Sequence, residues 1–433
     1  MVGENLANNS ESEEELSSGV ESLAELVDDF DPVAAAENIA AAKGENNVES
    51  REKDALESGE TTVAVYLEDG SSMTPGEMKK KKGDPEAYTA ERQAWHDEVI
   101  KEAVEAVKQL SEIMGEPPRI IAARGGCGSG KTTAFKELFK KIQRGMELFD
   151  EKGDIPGAVK PDYFKDVIKD EARESLGVEV TSSQAHMEST GICRMFAEVI
   201  KNNPDLSMVI DKQLEAEGDI PEIIEWGRET GKSVELLDND VPIELSAFRV
   251  LKRKIGGADP NIEFSGVARG FVGIRANRGQ VLEDVKEEVV SVYSLRAFDP
   301  KTKQQMEIAK KMPDGKIVYV PGYEELGGKV GMQNREEAEA EAEQARNQVI
   351  TEEYVEEFVS RYFDESNGPT KYSNEARKVL GAYAGLGITF GEALDSKAAG
   401  INPDRNENGE LIDTNYREKV VAFVARQREA KAA

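Results

Sequence analysis

The feature that most restricts how this chain can fold is a glycine-rich run at residues 125–132, which reads GGCGSGKT. It fits the pattern G-x-x-x-x-G-K-[ST] without adjustment. The apolar residues 119–124 before it are typical of a buried strand, and residues 133–139 after it favour a helix. In this order, glycines let backbone N–H groups converge on phosphate oxygens, and the dipole of the helix attracts the same anion. The run therefore predicts a phosphate-binding loop, called the P-loop below.

Each part of the P-loop has a predicted task in binding ATP or GTP. Lys131 would neutralise β- and γ-phosphate oxygens, and the Thr132 hydroxyl would ligate Mg²⁺. Cys127 stands where the chemistry needs no thiol, so we interpret it as a tolerated loop residue. The alternative is an ordinary glycine-rich turn, which the flanking strand and helix disfavour. The predicted nucleotide-binding residues are Gly125, Gly126, Cys127, Gly128, Ser129, Gly130, Lys131, Thr132 and Thr133.

The net charge and composition exclude several classes of ligand and site. A formal charge of −30 opposes general binding to nucleic acid or anionic lipid. No stretch approaches the roughly 18 apolar residues that a membrane span needs. The chain has two cysteines, which do not indicate a disulfide framework, so we expect a reducing, cytoplasmic location. Its two histidines do not indicate a zinc site. The first residues lack the pattern of a Sec signal, which leaves delivery by a non-Sec route open.

Composition changes along the chain predict three regions. Residues 1–84 are acidic and rich in Ser, Asn and Ala, which predicts a largely disordered N-terminal region. Residues 85–330 alternate helical and strand patterns, which predicts a sheet of mainly parallel strands with helices on both faces. Residues 331–433 are Ala- and Glu-rich, which predicts a helical C-terminal extension. The expected class is therefore a three-layer α/β fold with a helical C-terminal region.

Hydrophobic periodicity places the main elements of the central region. Strands are predicted at residues 119–124, 208–210, 233–237 and 289–295, and a helix at residues 243–255. We expect the carboxyl ends of the strands to face the ligand crevice, as in other doubly wound sheets.

Asp162 is the candidate base for a phosphoryl transfer. A kinase needs a carboxylate to accept or orient the acceptor's hydroxyl proton. Asp162 follows the helix after the P-loop, where the next strand should end, and Lys165 lies one turn later, where it would contact an anionic acceptor. The alternative is a helix-capping aspartate with a surface lysine.

Arg249 and Arg253 are the candidate clamp for the transferred phosphoryl group. Four residues separate them, so on a helix they share one face, and guanidinium groups fit phosphate oxygens well. Pairing with a nearby carboxylate such as Glu244 is the alternative. Further arginines lie in a glycine-rich stretch over residues 269–278, interpreted as a candidate lid in which none is singled out.

These segments together resemble the zeta toxins, a family of P-loop kinases. In that family an Asp-x-[Phe/Ile]-[Lys/Arg] element carries the catalytic base, and residues 162–165 (DYFK) match it. Residues 185–190 (AHMEST) resemble a His-Glu-Glu-Ser-like signature, and residues 208–211 (MVID) match a strand that ends in Asp. Residues 231–234 (GKSV) match a Gly-x-x-Val strand, and the helix at 243–255 corresponds to one with paired arginines.

The resemblance covers residues 118–323 and implies a P-loop kinase fold acting on a small metabolite. It implies transfer of the γ-phosphoryl group of ATP or GTP to a nucleotide sugar such as UDP-N-acetylglucosamine, as a toxin. An antitoxin or a chaperone is the implied partner. Asp162 would be the base, and the residues near the acceptor would be Lys165, His186, Glu188 and Asp211.

The sequence leaves alternatives open for the acceptor substrate and for the class of function. Asp211 is followed by Lys212 and Gln213 where the family carries Asp-x-Thr, so the acceptor stays unnamed. One alternative is an effector kinase that phosphorylates NAD or another nucleotide. An alternative of another class is a nucleotide-switched interaction protein, whose acidic N-terminal region and C-terminal helices bind the partner.

Overall fold

A computed structural model describes most of the chain from residue 90 onward. The described residues are 65–66, 72–73, 90–142, 144–150, 153–176, 180, 185–253, 262–331, 333–401, 403 and 415–432. The predicted disordered region over residues 1–84 lies outside them, except for two short antiparallel strands. None of the helices in these ranges is long and apolar enough to cross a membrane.

The elements are numbered in chain order. The strands are β1 (Val65–Tyr66), β2 (Ser72–Met73), β3 (Arg119–Arg124), β4 (Met208–Asp211), β5 (Ser233–Asp240), β6 (Val290–Asp299), β7 (Gln304–Lys311) and β8 (Ile317–Tyr319). The helices are α1 (Ala90–Met114), α2 (Lys131–Phe139), α3 (Pro161–Leu176), α4 (His186–Lys201), α5 (Asp219–Thr230), α6 (Ile243–Leu251), α7 (Phe264–Asp284), α8 (Glu324–Gly331), α9 (Arg335–Asn347), α10 (Glu352–Tyr362), α11 (Lys371–Gly381), α12 (Phe390–Ala398) and α13 (Tyr416–Ala432).

The chain separates into two compact units. The smaller unit holds the described residues up to Lys101 and those from Pro161 to Met195, which include α3 and the first part of α4. The larger unit holds the remaining described residues, including the P-loop and the main sheet.

The sheet of the larger unit has the strand order β4-β3-β5-β6-β7-β8. The first four of these strands run parallel, and β7 and β8 are antiparallel to their neighbours. The sequence analysis located the four parallel strands and missed β7 and β8. The prediction of a mainly parallel central sheet is confirmed.

Helices cover both faces of this sheet because β3 is apolar on both. Ile121 and Ala123 point to one face and share a buried cluster with Phe135 and Phe139 of α2. Ile120 is buried on the opposite face, where α5 lies against β3 and β5. Side chains alternate between faces along a strand, so a continuous apolar run requires cover on both sides. The three-layer arrangement follows.

The C-terminal helices share a hydrophobic core with α6 and α7. In α9 the buried residues are Ala338, Ala342 and Ala345, which recur at helical spacing among exposed glutamates. Phe358 of α10 packs its ring against Phe248 of α6 at a centroid distance of 5.2 Å. The helical C-terminal region predicted from the Ala/Glu pattern is confirmed, and its apolar face is buried within the larger unit.

Candidate active site

The P-loop joins the carboxyl end of β3 to the first turn of α2, and its glycines are needed for its shape. Gly128 and Gly130 have φ angles of 74° and 93°, which side chains with a Cβ rarely adopt. A Cβ on Gly128 would lie 2.8 Å from the carbonyl oxygen of Ser246, and one on Gly130 would lie 2.7 Å from Oε1 of Gln305. The loop therefore runs against the backbone of α6 at a distance that only glycine allows, and the φ angles of both residues favour glycine.

Side chains hold the backbone carbonyl groups of residues 125–129. Lys131 Nζ donates hydrogen bonds to the carbonyl oxygens of Gly125 at 2.9 Å and Gly126 at 3.3 Å. In this arrangement the lysine ammonium lies against the inside of its own loop, where a phosphate oxygen could replace the carbonyls as its partner.

Two side chains of α6 hold the next two carbonyl groups. The Ser246 hydroxyl donates to the carbonyl oxygen of Cys127, and Arg249 Nη1 donates to that of Gly128 at 2.7 Å. Burial lowers the pKa of Arg249, and no carboxylate among the described residues forms an ion pair with it. A partly buried guanidinium, with no ion-pair partner in the described part of the chain, therefore lies at the P-loop.

Gln305 of β7 holds the last carbonyl group of the loop. Its Nε2 donates to the carbonyl oxygen of Ser129 at 3.0 Å, and the amide Oδ1 of Asn239 lies 3.4 Å from the same nitrogen. Neither Ser246 nor Gln305 was predicted from the sequence, because each meets the loop only through tertiary packing.

With the carbonyls held in this way, most backbone N–H groups of the loop are left for a ligand. Gly125 N–H donates to the carbonyl of Gln213, and Ser129 N–H donates to that of Gly126. Helix α2 has neither a side-chain cap nor an acidic residue in its first turn. These orphan donors and the helix dipole favour a bound anion. Within the described part of the chain, no acceptor meets the N–H groups of Gly126, Gly128, Gly130, Lys131 and Thr132.

A buried ion network lies at the carboxyl end of β5, beside the P-loop strand. Asp238 accepts hydrogen bonds from Arg124 at 3.0 and 3.2 Å, and from Arg278 at 3.0 and 3.2 Å. All three side chains are almost completely buried. Burial raises the pKa of Asp238, but Arg124 and Arg278 offset this and leave its pKa below the ordinary value.

The same network continues through Asp240 to the C-terminal region. Asp240 accepts from Arg275 at two distances of 2.9 Å and from Arg278 at 2.9 Å. Arg275 also pairs with Glu341 of α9 at 2.7 Å. Burial raises the pKa of Asp240, and the two arginines more than offset it, so its pKa is also lowered.

This network corrects the interpretation of residues 269–278 as a lid. The stretch lies within α7, where Arg275 and Arg278 are buried in ion pairs. A Cβ on Gly273 would lie 2.9 Å from the carbonyl oxygen of Glu215, so this glycine allows the loop after β4 to pack closely on the helix. Arg269 is exposed and pairs with Glu215 at 3.1 Å.

The paired-arginine helix is shorter than predicted. Helix α6 ends at Leu251, so Arg253 lies beyond the helix and does not share a helical face with Arg249. Glu244, the alternative partner considered for the arginines, instead accepts hydrogen bonds from Arg361 and Tyr362 of α10, both at 2.6 Å.

Asp162 and Lys165 lie in the first turns of α3, in the smaller unit. Helix α3 begins at Pro161, a residue favoured at this position, and the expected strand before it is reduced to one parallel bridge between Val159 and Ile210. Lys165 is buried, and its Nζ lies 2.8 Å from Oδ1 of Asp162. The roles assigned to these two residues stay predictions.

Glu188 is also in the smaller unit and is held by α1. Its Oε1 accepts from Arg92 Nε at 2.6 Å and lies 2.7 Å from His96 Nε2. Burial raises the pKa of Glu188, while Arg92 and His96 lower it to below the ordinary value. The side chain of His186 lies outside the described residues. Its predicted role and that of Glu188 stay predictions.

Asp211 ends β4 next to β3, where its backbone pairs with Ala123. Gln213, two residues later, donates from Nε2 to the Cys127 sulfur at 3.0 Å, so the departure from the Asp-x-Thr pattern places an amide against the P-loop. Among the described residues, no group of three or more His, Cys, Asp or Glu side chains could hold a metal ion.

Comparisons with known proteins give a fold and no family. No protein-family model and no curated protein matches the chain. A chain of the AvrRxo1-ORF1:-ORF2 complex aligns with a TM-score of 0.63 and 24% identity, over 76% of this chain and 94% of that chain. A chain of the same complex with ATP aligns with a TM-score of 0.62 and 24% identity, over 76% and 95%.

A chain from the PezAT chromosomal toxin-antitoxin system of Streptococcus pneumoniae aligns more weakly. Its TM-score is 0.34 at 13% identity, over 66% of this chain and 93% of that chain. The AvrRxo1 alignments establish a shared fold along most of both chains. They agree with the three-layer α/β class and the helical C-terminal region predicted from the sequence.

Proposed function

We propose that this protein is a phosphotransferase that moves the γ-phosphoryl group of ATP or GTP to a hydroxyl of a small metabolite. The observation that carries the proposal is the P-loop with its carbonyls held by side chains, with five of its N–H groups meeting no acceptor among the described residues, and with Lys131 and Arg249 beside it. Such a loop binds the phosphates of a nucleotide. The solved complex of a structural neighbour with ATP supports the same ligand.

Each residue of the site has a role in this proposal. Lys131 and the loop N–H groups bind the β- and γ-phosphates, and Arg249, with Arg253 as a second candidate, neutralises charge that develops on the transferred group. Thr132 would hold Mg²⁺ together with the phosphates, and the ion would supply further charge neutralisation. Asp162 accepts or orients the proton of the acceptor hydroxyl.

The acceptor side of the site rests on the zeta-toxin resemblance. We propose a nucleotide sugar such as UDP-N-acetylglucosamine, with NAD or another nucleotide as the alternative. The residues proposed to contact it are Lys165, His186, Glu188 and Asp211. The neighbouring complexes of AvrRxo1-ORF1 with ORF2 support a protein partner that would act as an antitoxin or a chaperone.

The test is transfer of label from γ-labelled ATP to small molecules of a metabolite extract, with UDP-N-acetylglucosamine and NAD in separate reactions. Asp162→Asn should lower the transfer rate by at least about 100-fold, as removal of a general base usually does. Asp166→Asn is the matched control, since Asp166 lies one turn later in α3, is partly buried, and lies 4.0 Å from Lys169. It should leave the rate unchanged.

The results separate the proposed classes of function. The kinase proposal is wrong if no small molecule becomes labelled. It is also contradicted if Asp162→Asn and Asp166→Asn both transfer label as fast as the wild type. Nucleotide-dependent binding of a partner protein without any transfer would favour the interaction protein instead. Growth arrest on expression that disappears in Lys131→Ala would support the toxin activity.

A further inference from the structure

Helix α6 connects the C-terminal helices to the P-loop. It carries Ser246 and Arg249, which hold the carbonyl groups of Cys127 and Gly128. The position of this helix therefore sets where two of the loop carbonyls point, and so where the N–H groups between them point.

The N-terminal end of α6 is held by α10. The Glu244 carboxylate accepts hydrogen bonds from the hydroxyl groups of Tyr354 at 3.3 Å and Tyr362 at 2.6 Å, and from Arg361 at 2.6 Å. Burial and the neighbouring carboxylate raise the pKa of both tyrosines, which therefore stay protonated donors.

The C-terminal end of α6 is held by Lys397 of α12. Its ammonium group has three donors and meets three backbone carbonyl oxygens, those of Val250 and Leu251 at 2.8 Å each and that of Arg253. Lys397 is only 2% exposed. A buried ammonium is stabilised here because these carbonyl oxygens lie at the negative end of the helix dipole, which attracts a cation.

We infer that the C-terminal helices keep the P-loop in its phosphate-binding conformation, acting through α6, and that Lys397 is a positioning residue for this purpose. The inference rests on the proposed nucleotide binding and adds a role for the C-terminal region. Lys397 does not touch the loop. It fixes the end of the helix from which Arg249 reaches Gly128.

The test compares Lys397→Met with Lys232→Met in the full-length protein. Lys232 is a matched control, because it is also 2% exposed and its ammonium also donates to carbonyls at the end of a helix, those of Ile200 at 3.0 Å and Asn203 at 2.7 Å. It caps the C-terminal end of α4, and the P-loop carbonyls of Cys127 and Gly128 are held from α6 instead. Both variants should lower the melting temperature.

Two measurements distinguish positioning from general destabilisation. In Lys397→Met, hydrogen–deuterium exchange of the Gly125 and Ser129 amides, which donate to backbone carbonyls in the loop region, should become roughly tenfold faster, and the Kd of MgATP should rise roughly tenfold, within the range for networked residues. In Lys232→Met both should stay within about twofold of the wild type. Glu244→Gln, which weakens the other end of α6, should shift both measurements in the same direction as Lys397→Met.

A thermodynamic cycle checks the route through α6. In a Ser246→Ala, Arg249→Ala background the two links from the helix to the loop are gone, so Lys397→Met should change loop exchange by less than about twofold. The inference is overturned if loop exchange is unchanged in both Lys397→Met and Glu244→Gln. It is also overturned if Lys232→Met changes loop exchange and the Kd of MgATP as much as Lys397→Met does. The exchange measurement needs no ligand, so it tests the inference separately from the proposed function. If the variants change loop exchange as expected but the wild type binds no MgATP, the proposed function is wrong and the inference about the loop conformation is not.

Discussion

Replacing Arg278 with methionine should strongly destabilise the protein, because it removes the centre of the buried ion network. Arg278 is fully buried and donates four hydrogen bonds, two to Asp238, one to Asp240 and one to the carbonyl of Val330. Methionine fills a similar volume without charge or donors. Each aspartate then keeps one arginine, Arg124 or Arg275.

The expected loss in the free energy of unfolding is about 3–5 kcal/mol, the usual result of removing one partner from a buried ion pair. Three arginines in this network face two buried aspartates and Glu341, so the substitution leaves an excess of negative charge. The measurement is urea unfolding at pH 7 followed by far-UV circular dichroism. Arg228→Met is the control, since Arg228 is exposed and also pairs with two glutamates, and it should leave the midpoint unchanged.

The pH dependence gives a second, independent readout. The pKa values of Asp238 and Asp240 are lowered in the folded state. Their contribution to stability is therefore fully present above about pH 4 and is lost as the pH falls through the folded-state values. In Arg278→Met these pKa values should rise towards those of the unfolded state, so lowering the pH below about 4 should cost less stability than it does in the wild type. A loss below about 1 kcal/mol together with an unchanged pH dependence would refute this account of the network.

Three further results are expected. Gly128→Ala should weaken MgATP binding more than tenfold, because a residue with a Cβ in the left-handed conformation is strained by about 1–2 kcal/mol and its Cβ would meet the backbone of α6. Gly191→Ala is the control and should not weaken binding, since a Cβ at this position meets no atom within 4 Å. Gln305→Ala should raise the Kd of MgATP by about 3- to 10-fold by isothermal calorimetry, since one carbonyl of the loop is released. Glu188→Gln should lower the free energy of unfolding by about 1.5–3 kcal/mol in urea titrations, because the buried charge of Arg92 loses its closest partner. An effect of Gly191→Ala on MgATP binding, an unchanged Kd in Gln305→Ala, or a neutral Glu188→Gln would contradict the corresponding contact.

The P-loop and the four parallel strands could be predicted from the sequence because their signals are local. The run GGCGSGKT specifies its own backbone shape, and the apolar segments of β3 and β4 need cover on both faces whatever packs there. Strand β7 was not predicted because its residues QQMEIAKK alternate only weakly between polar and apolar.

Strand β5 shows why a buried charge is hard to predict. The strand predicted from the sequence ends at Leu237, yet the observed strand continues through Asp238 to Asp240, although aspartates are depleted in strands. The continuation is stable because Arg124, Arg275 and Arg278 pair with the carboxylates. Aspartates alternating at the carboxyl end of a strand are the signal that could have indicated it.

The sequence by itself determined that the chain has a glycine-rich loop between a strand and a helix, a mainly parallel sheet and a helical C-terminal region. Only the tertiary structure decided what surrounds the loop: Ser246 and Arg249 from α6, Gln305 from β7, and Lys397 behind them. Backbone conformation is set by residues that are neighbours in the chain. The side chains that hold the carbonyls of Cys127, Gly128 and Ser129, and Lys397 behind them, meet partners more than 100 positions away, so these contacts are chosen by packing.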